Sequence, residues 1–218
     1  MKQIFDIAKN NPLFEGVAEC DFECVLKCLV AKAVAYQKND MIVLTGEPVK
    51  FVGLILSGSV KIIIEDVSGN STILKKLTVS EIFGEVFAYA EIFHCPVTVQ
   101  ADTDTEILWI DHMKIITSCN NACRFHAKLI KNMLKLFAHK NLALNQKIEI
   151  LSKRTTREKL FCFFDQQRGA ASNFTIPYNR EEMAAYLCVD RSAMSGELCK
   201  MRDEGLIRFN RNAFELLF

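Results

Sequence analysis

Residues 177–208 carry the pattern that most constrains the fold, because they contain the start and stop signals of two consecutive helices. Asn179 followed by Glu182 is a capping-box pattern for the first helix, and Asp190 is a capping residue for the second. Gly205 predicts where the second helix ends. Apolar residues recur at helical spacing in both segments: Met183, Ala184, Leu187, Met194, Leu198 and Met201. The stretch therefore predicts two short helices joined by a tight turn.

The predicted second helix has a polar face away from its apolar stripe. Short and medium-length polar side chains in this arrangement suit contacts with base edges and phosphates in the DNA major groove. A pair of packed helices without a DNA function is the alternative, but the pattern favours a helix-turn-helix that binds double-stranded DNA. The predicted interface comprises Asn179, Arg180, Arg191, Ser192, Ser195, Gly196, Glu197, Lys200 and Arg208.

The first half of the chain has a different periodicity. Residues 1–32 are predicted to be helical, and residues 33–111 contain short segments rich in β-branched residues. Turn sequences such as Gly46-Glu47-Pro48 separate these segments. Many short strands at regular spacing predict an antiparallel sandwich or barrel.

A heptad pattern of apolar residues follows the strands. Its positions are Ile130, Leu134, Phe137, Asn141, Leu144, Ile148 and Leu151. The pattern predicts a long helix that forms a coiled coil in a homodimer, with Asn141 fixing register and parallel pairing. The alternative is a long helix packed only on its own β domain. A second apolar set is expected to face that domain: Leu129, Met133, Leu136 and Ala143.

The C-terminal part is predicted to be a winged helix-turn-helix. Thr155 or Thr156 caps a further helix, residues 173–177 form a strand, and residues 207–218 form a hairpin. The predicted fold class is therefore α+β. It combines an antiparallel β-roll (a double-stranded β-helix) with N-terminal helices at 1–118, a dimerisation helix at 119–151 and the DNA-binding domain at 152–218.

Composition limits the function classes. The net charge is only +1, so DNA affinity has to come from a localised basic face. Nine cysteines, an odd number scattered through helical patterns, favour a reduced cytoplasmic compartment. No apolar run reaches the ~20 residues that span a bilayer, so no membrane partner is expected. Catalytic sequence motifs are not evident, so we expect no enzyme.

The order of these segments resembles the Crp/Fnr superfamily of bacterial transcription regulators, and the resemblance covers nearly the whole chain. Its most specific pieces are Gly46-Glu47-Pro48, the segment 56–61, Phe83-Gly84-Glu85, the segment 190–195 and the segment 204–207. The resemblance implies a homodimer that reads a near-palindromic site, with half-sites about one helical turn apart. It also implies RNA polymerase as a partner, and a small effector that acts from the β-roll through the long helix.

The predicted effector pocket departs from the members that bind cyclic AMP. Those members hold the cyclic phosphate with an arginine and a serine after the Phe-Gly-Glu motif. The matching segment here, residues 93–98, has no arginine, and Pro96 lacks a backbone donor. We therefore expect a small apolar, aromatic or carboxylate metabolite instead of cyclic AMP. The expected pocket comprises Phe83, Gly84, Glu85, His94, Cys95, Val97, Thr98, Met133 and Leu136.

A second departure lies in the predicted recognition helix. Relatives commonly have a base-contacting arginine at the position of Gly196, and glycine in a helix costs ~1 kcal/mol relative to alanine. Either the remaining residues read a different site, or the chain is a ligand-binding protein that reads DNA poorly. Both interpretations remain open at this point.

Cysteines and histidines raise the question of a redox, metal or haem sensor. Cys20, Cys24 and Cys28 recur at four-residue spacing, as do Cys119 and Cys123. They are interpretable as small core residues, as iron–sulfur or metal ligands, or as redox-sensing thiols. His94, His126 and His139 are candidate haem ligands, although no other haem motif accompanies them. Cys162, Cys188 and Cys199 are expected to be structural, and no metal site is assigned.

Overall fold

The computed structural model describes residues 2–65, 71–117, 124–169 and 171–217. Two compact units make up the chain, one ending at Phe137 and the other beginning at Ala138. The boundary falls within the longest helix, α5 (Arg124–Ser152). None of the described helices is both long and apolar enough to cross a bilayer.

The first unit is a two-sheet β-roll with short helices. Its helical elements are α1 Lys2–Ala8, a 3-10 turn at Pro12–Phe14, α2 Glu19–Cys28, α3 Glu85–Tyr89 and α4 His112–Ile116. Its strands are β1 Lys32–Tyr36, β2 Met41–Val43, β3 Phe51–Ser57, β4 Ser59–Glu65, β5 Ser71–Thr78, β6 Ile82–Phe83, β7 Thr98–Ala101 and β8 Thr105–Asp111. One sheet has the order β1-β8-β3-β6 and the other β2-β7-β4-β5, with every pairing antiparallel. The predicted antiparallel β-roll is thus confirmed.

Strand β3 shows why the sequence FVGLILS is apolar almost throughout. Successive side chains of a strand point to opposite faces. Val52, Leu54 and Leu56 join the core beneath the N-terminal helices. Ile55 joins a second core cluster that includes Val60 of the opposite sheet. The strand is buried on both faces, so its sequence does not alternate between apolar and polar residues.

The first part of α5 belongs to this unit. Leu129, Met133 and Leu136 are buried in the cluster that contains Leu13 and Phe22. The expectation that these residues face the β domain is confirmed. It is wrong for Ala143, which is exposed and lies beyond the end of that cluster.

Asn132 fixes α5 against the N-terminal turn. Its side-chain Nδ2 donates hydrogen bonds to the carbonyl oxygens of Leu13 at 3.0 Å and Glu15 at 2.9 Å. Asn132 is itself buried, so these bonds satisfy a polar group that is removed from water.

The second unit is a winged helix-turn-helix, as predicted. Besides the end of α5 it contains α6 Thr156–Arg168, β9 Asn173–Thr175, α7 Arg180–Leu187, α8 Arg191–Asp203, β10 Ile207–Asn210 and β11 Ala213–Leu216. The three strands form an antiparallel sheet of order β10-β11-β9. Thr155 caps α6 in a capping box with Glu158. Leu160, Phe163, Phe164 and Ile150 form one core with the apolar stripes of α7 and α8.

Candidate DNA interface and effector site

The turn between α7 and α8 is held by side-chain caps at both helix starts. The Asn179 Oδ1 accepts the Glu182 N–H at 2.9 Å, and the Glu182 carboxylate accepts the Asn179 N–H at 2.7 Å. Cys188 makes the turn in the left-handed conformation with φ 50°. The Asp190 Oδ1 then accepts the Ala193 N–H at 2.8 Å. The four backbone N–H groups at a helix start lack intrahelical partners, so these caps fix where α8 begins.

Hydrogen bonding also fixes the charge on the second cap. The hydroxyl of Ser192 donates to Asp190 Oδ1 at 2.5 Å. This bond, followed by the Ala193 N–H, lowers the pKa of the Asp190 carboxyl below its usual value. The cap is therefore ionised at neutral pH. Its negative charge then lies at the positive, N-terminal end of the α8 dipole, which stabilises the helix.

The face of α8 that points away from the core carries most of the predicted reading residues. Met194, Leu198 and Met201 are buried, whereas Arg191, Ser192, Gly196 and Lys200 are exposed and Ser195 is half-buried. Cys199 is exposed on the same helix, and Cys188 is exposed in the turn. Cys188 and Cys199 were expected to be structural, but neither thiol is buried in the core, and the sequence did not indicate that Cys199 lies on this helix surface.

Glu197 occupies a different position from the other predicted reading residues. Its carboxylate forms an ion pair with the guanidinium of Arg157 on α6 and lies 3.8 Å from Lys200 Nζ. Arg157 also binds both carboxylate oxygens of Glu204, at 2.8 and 2.7 Å. The hydrogen bonds from Glu204 and then Glu197 raise the pKa of Arg157. Glu197 is placed at the α6–α8 contact and not on the outer face, because it is three residues after Met194 and four before Met201 and so flanks the apolar stripe.

Three arginines meet at the start of α7. A pocket of about 400 Å³ is lined by Asn179, Arg180, Glu181, Arg191, Arg211 and Asn212. The Arg180 guanidinium lies 5.0 Å from the ring centres of Phe209 and of Phe214, and donates to the Arg211 carbonyl oxygen at 3.2 Å. Burial lowers the pKa of Arg180, although an arginine remains charged at any physiological pH. A concave site with several guanidinium groups suits a phosphate oxygen.

Arg191 and Arg208, the predicted DNA-binding arginines besides Arg180, are both exposed. Arg191 lies 3.6 Å from Glu181, with both side chains more than half exposed, and Arg208 lies 3.6 Å from Glu215 on the wing. Exposed ion pairs of this kind contribute little to stability, so both arginines remain free to bind a different anion such as a phosphate group.

Gly196 lies in open space on α8. A Cβ added there meets no heavy atom within 4 Å, and its φ is not in the left-handed region. Packing therefore does not require glycine at this position, and a longer side chain fits.

Five of the nine predicted effector residues divide among three core clusters. Phe83 packs with Ile55 and Trp109, whereas Cys95 and Val97 pack with Val49. Met133 and Leu136 lie in the cluster beneath the N-terminal helices. The structure thus does not bring Met133 and Leu136 to the other predicted pocket residues, because their face of α5 packs on the opposite side of β3 from Phe83.

Gly84, Glu85 and Thr98 have defined local roles. Gly84 has φ 83°, and a Cβ there would lie 2.9 Å from the Phe51 carbonyl oxygen, so the turn before α3 requires glycine. Glu85 opens α3 and is buried. The hydroxyls of Thr98 and Thr45 lie 3.0 Å apart, and His94 Nδ1 lies 3.0 Å from the Gly46 carbonyl oxygen.

A cavity that the sequence analysis missed adjoins these clusters. This edge cleft has a volume of about 540 Å³ and lies in the first unit, beside the edge strands β1 and β2. It is lined by Val30, Lys32, Val34, Tyr36, Ile42, Val43, Glu47, Pro48, Val49, Lys50, Phe51, Trp109 and Asp111. One face of β1 lines the cleft through the alternate residues Lys32, Val34 and Tyr36. This alternation is visible in the sequence, but it does not indicate a cavity unless the pairing of β1 with β8 is known.

The aromatic side of the edge cleft is held by a hydrogen bond and by ring contacts. Trp109 Nε1 donates a hydrogen bond to the Tyr36 hydroxyl at 3.0 Å. The Trp109 ring meets Phe51 edge-on at 6.4 Å and Phe83 at 5.4 Å between ring centres. A Cβ at Gly53 would lie 2.5 Å from the Phe83 ring, so glycine leaves room for this aromatic layer.

Cysteine and histidine placement bears on the sensor hypotheses. Cys20 and Cys24 are exposed on α2, so the interpretation as buried small residues is wrong for them, whereas Cys95 is buried and burial raises the pKa of its thiol. Cys119 and Cys123 lie outside the described residues. Within the described ranges, no three His, Cys, Asp or Glu side chains are grouped to hold a metal ion.

The three candidate haem ligands differ in exposure. His126 is buried, with its Nε2 3.1 Å from the Lys114 carbonyl oxygen, and His94 and His139 are exposed.

The heptad residues change character along α5. Leu134, Leu144 and Ile148 are 65%, 63% and 62% exposed, and Leu151 is 37% exposed. Ile130 and Phe137 are half-buried, and Phe137 packs edge-on against Tyr89 at 5.8 Å. Asn141 is exposed and its Oδ1 accepts a hydrogen bond from Asn145 Nδ2 at 2.8 Å. In the single chain, a stripe of large apolar side chains on α5 is therefore open to solvent.

Comparisons with known proteins agree with both units. Residues 33–121 match the family model of the cyclic nucleotide-binding domain, and residues 158–217 match that of the Crp-like helix-turn-helix domain. Together the two matches cover more than half of the chain. A search of curated protein sequences found no match.

Several solved structures share the fold. The catabolite activator protein of Thermus thermophilus is 22% identical, with a TM-score of 0.56 over 94% of this chain and 93% of that one. A CooA mutant from Carboxydothermus hydrogenoformans is 22% identical, with a TM-score of 0.60 over 94% and 91%. The global regulator CLP of Xanthomonas campestris is 15% identical, with a TM-score of 0.55 over 89% and 98%. With a β-roll, a long helix and a winged helix-turn-helix in this order, the chain belongs to the Crp/Fnr family of DNA-binding transcription regulators.

Proposed function

We propose that the chain is a homodimeric, sequence-specific transcription regulator whose β-roll binds a small effector other than cyclic AMP. The observation that carries the DNA-reading part is the exposed face of α8, with Arg191, Ser192 and Lys200 away from the core. The arginine-lined pocket at the start of α7 supplies a phosphate contact beside this face.

The exposed apolar stripe on α5 supports dimerisation. Burying a leucine or isoleucine side chain contributes about 1.5–3 kcal/mol, and three such residues are more than half exposed here. A second copy of the same helix covers the stripe in register, with Asn141 facing Asn141. The two recognition helices then read half-sites of a near-palindromic sequence about one helical turn apart.

The segment after the Phe83-Gly84-Glu85 motif supports an effector other than cyclic AMP. Residues 93–98 contain no arginine, and Pro96 has no N–H. The N–H of Cys95 already donates to the Glu47 carbonyl oxygen at 3.1 Å. A buried phosphate without a charged partner costs several kcal/mol. Effectors vary within this fold, since the regulator CLP is described as responsive to c-di-GMP.

Selection of bound sequences from random DNA, with protein purified under reducing and anaerobic conditions, tests this proposal. We expect an enriched inverted repeat whose binding weakens as salt rises. If no sequence is enriched by the wild type but one is enriched by Gly196→Arg, then the natural chain reads DNA poorly, and the sequence-specific part of the proposal is wrong. RNA polymerase contact is tested by transcription from a promoter that carries the recovered site.

Thiol control of DNA binding is a second candidate, favoured by the exposed Cys199 beside Lys200 on α8. A bulky or charged oxidation product of Cys199 would obstruct the entry of α8 into the major groove. Peroxide treatment should then weaken DNA binding by the wild type and not by Cys199→Ser. Equal loss in both proteins would remove this candidate.

A further inference from the structure

We infer that the edge cleft binds a small aromatic carboxylate, with the ring against Trp109 and the carboxylate at Lys32 or Lys50. The inference deepens the proposed effector function and rests on it for its regulatory meaning, whereas the binding step is testable without DNA. The cleft lies outside the Phe83-Gly84-Glu85 segment in which the effector was expected.

The size and walls of the cleft suit an aromatic ligand. Its volume of about 540 Å³ lies within the range of about 300–1,000 Å³ that is usual for small-molecule sites. Val34, Val43 and Val49 supply apolar walls beside the ring of Trp109. Trp109 is held by its hydrogen bond to Tyr36, so the aromatic surface is formed before any ligand arrives. A preformed surface lowers the ordering cost of binding.

The charges around the cleft select the polar group of the ligand. Within the described part of the chain, the ammonium groups of Lys32 and Lys50 have no ion-pair partner. Of the two acidic lining residues, Asp111 already accepts the Met113 N–H at 2.9 Å as the cap of α4. Glu47 also lies at the cleft, so the net formal charge of the lining is near zero. The two unpaired ammonium groups can complement one carboxylate, whereas a lining without net positive charge disfavours a ligand with several negative charges, such as a nucleotide.

Position links the cleft to the expected effector region. Val43 and Val49 line the cleft and also pack against the cluster that contains Cys95 and Val97. Trp109 lines the cleft and touches Phe83, the residue before the Gly84 turn. A ligand in the cleft therefore presses on the same side chains that position α3.

Trp109 is the only tryptophan of the chain, so its emission reports on the cleft directly. The experiment titrates the full-length protein, without DNA, with phenylacetate, 3-phenylpropionate and L-phenylalanine. Phenylacetamide is the neutral match for phenylacetate. We expect a saturable change in Trp109 emission below about 10 mM, and binding of the acid at least about fivefold tighter than binding of the amide.

Variants locate the site. Lys32→Gln and Lys50→Gln together should bring the acid-to-amide ratio close to one, while Lys38→Gln, an exposed lysine of the β1–β2 turn outside the cleft, should leave it unchanged. Val34→Phe, which narrows the cleft from a strand position that is 39% exposed, should abolish the response while the thermal unfolding midpoint is retained.

Three results would overturn the inference. They are no saturable response to any of the acids, equal affinity for acid and amide, and a preference for the acid that survives removal of both lysines. Tighter binding of L-phenylalanine than of phenylacetate supports it and adds Glu47 as the partner of the ammonium group. Failure of this titration leaves the random-DNA selection unaffected, so the two proposals fail separately.

Discussion

Arg157 and Glu204 form a bidentate ion pair, in which Arg157 Nη1 donates to Glu204 Oε2 at 2.8 Å and Nη2 donates to Oε1 at 2.7 Å. The pair joins the start of α6 to the residue that ends α8, and Arg157 also holds Glu197. The recognition helix is thus tied to the rest of its unit from the side opposite its reading face.

The first prediction concerns the ion pairs of Arg157 with Glu204 and Glu197. Arg157→Gln should lower the thermal unfolding midpoint and weaken specific DNA binding a few-fold, because α8 loses two anchors at once. Glu204→Gln should do the same to a smaller degree. The effects of the two changes on the midpoint should be less than additive in the double variant, since the residues share one interaction. Strict additivity would show that the pair does not couple α6 to α8.

The second prediction concerns acid stability of the β-roll. Hydrogen bonds from Lys76 and then Lys61 lower the pKa of Asp102 from 3.8 to about 2. A lowered carboxyl pKa stabilises the folded state above the unfolded value, so this contribution is complete above about pH 3.8 and is lost as the pH falls toward about 2. Asp102→Asn should lower the unfolding midpoint at pH 6 and make it less dependent on pH in that window. A wild-type midpoint that falls no faster than that of the variant would contradict it.

Gly196 provides the third prediction. Gly196→Ala should raise the free energy of unfolding by about 0.5–1 kcal/mol, because the added methyl group meets nothing and helix propensity improves. Gly58→Ala is the contrasting variant, since its φ is +77° and a Cβ there would lie 2.2 Å from the Asp104 carbonyl oxygen, so it should destabilise. Chemical denaturation measures both. A destabilising Gly196→Ala would mean that the glycine has a structural role.

The fourth prediction tests the dimer. Leu144→Lys removes one exposed leucine from each copy, which at about 1.5 kcal/mol per copy should raise the dimer dissociation constant more than about a hundredfold. Leu142→Lys is the matched control, because Leu142 is 59% exposed but lies off the heptad positions. Light scattering over a concentration series distinguishes the variants. Asn141→Ile should change the register or the number of chains.

The fifth prediction separates base reading from phosphate contact. Arg191→Ala should weaken binding to the selected site by about 1–3 kcal/mol if the side chain is bidentate to a guanine. Binding to random DNA should change much less. Arg168→Ala, on α6 and paired with Asp165, serves as the control of equal charge change. Equal loss on both DNAs would assign Arg191 to a phosphate.

The helix-turn-helix could be predicted residue by residue because its signals are local. Asn179 with Glu182, and Asp190, are within four residues of the groups that they cap, and the structure has these caps. The β-roll was predictable as a class for a similar reason, since strand and turn residues alternate along the chain. These features depend on sequence neighbours and on periodicity.

The rest of the site depends on contacts between residues that are distant in sequence. Glu197 looks like a surface residue until Arg157, forty positions earlier, is brought beside it. Met133 and Leu136 were grouped with Phe83, but β3 separates the two sets. The edge cleft arises because Lys32 pairs with Trp109 across β1 and β8, and no local pattern encodes that register.

Arg180 differs from the other arginines of the predicted DNA interface in how much side-chain freedom it can still lose on binding. Its guanidinium already lies over Phe209 and Phe214, whereas the side chains of Arg191 and Arg208 are 63% and 73% exposed. An arginine side chain carries about 2 kcal/mol of rotamer entropy, and packing over two rings leaves Arg180 less of it to lose on binding. Contact with a phosphate at Arg180, as predicted, would therefore carry a small entropic penalty and would fix a reference point on the duplex. The exposed arginines could then adjust to differences in DNA shape around that point.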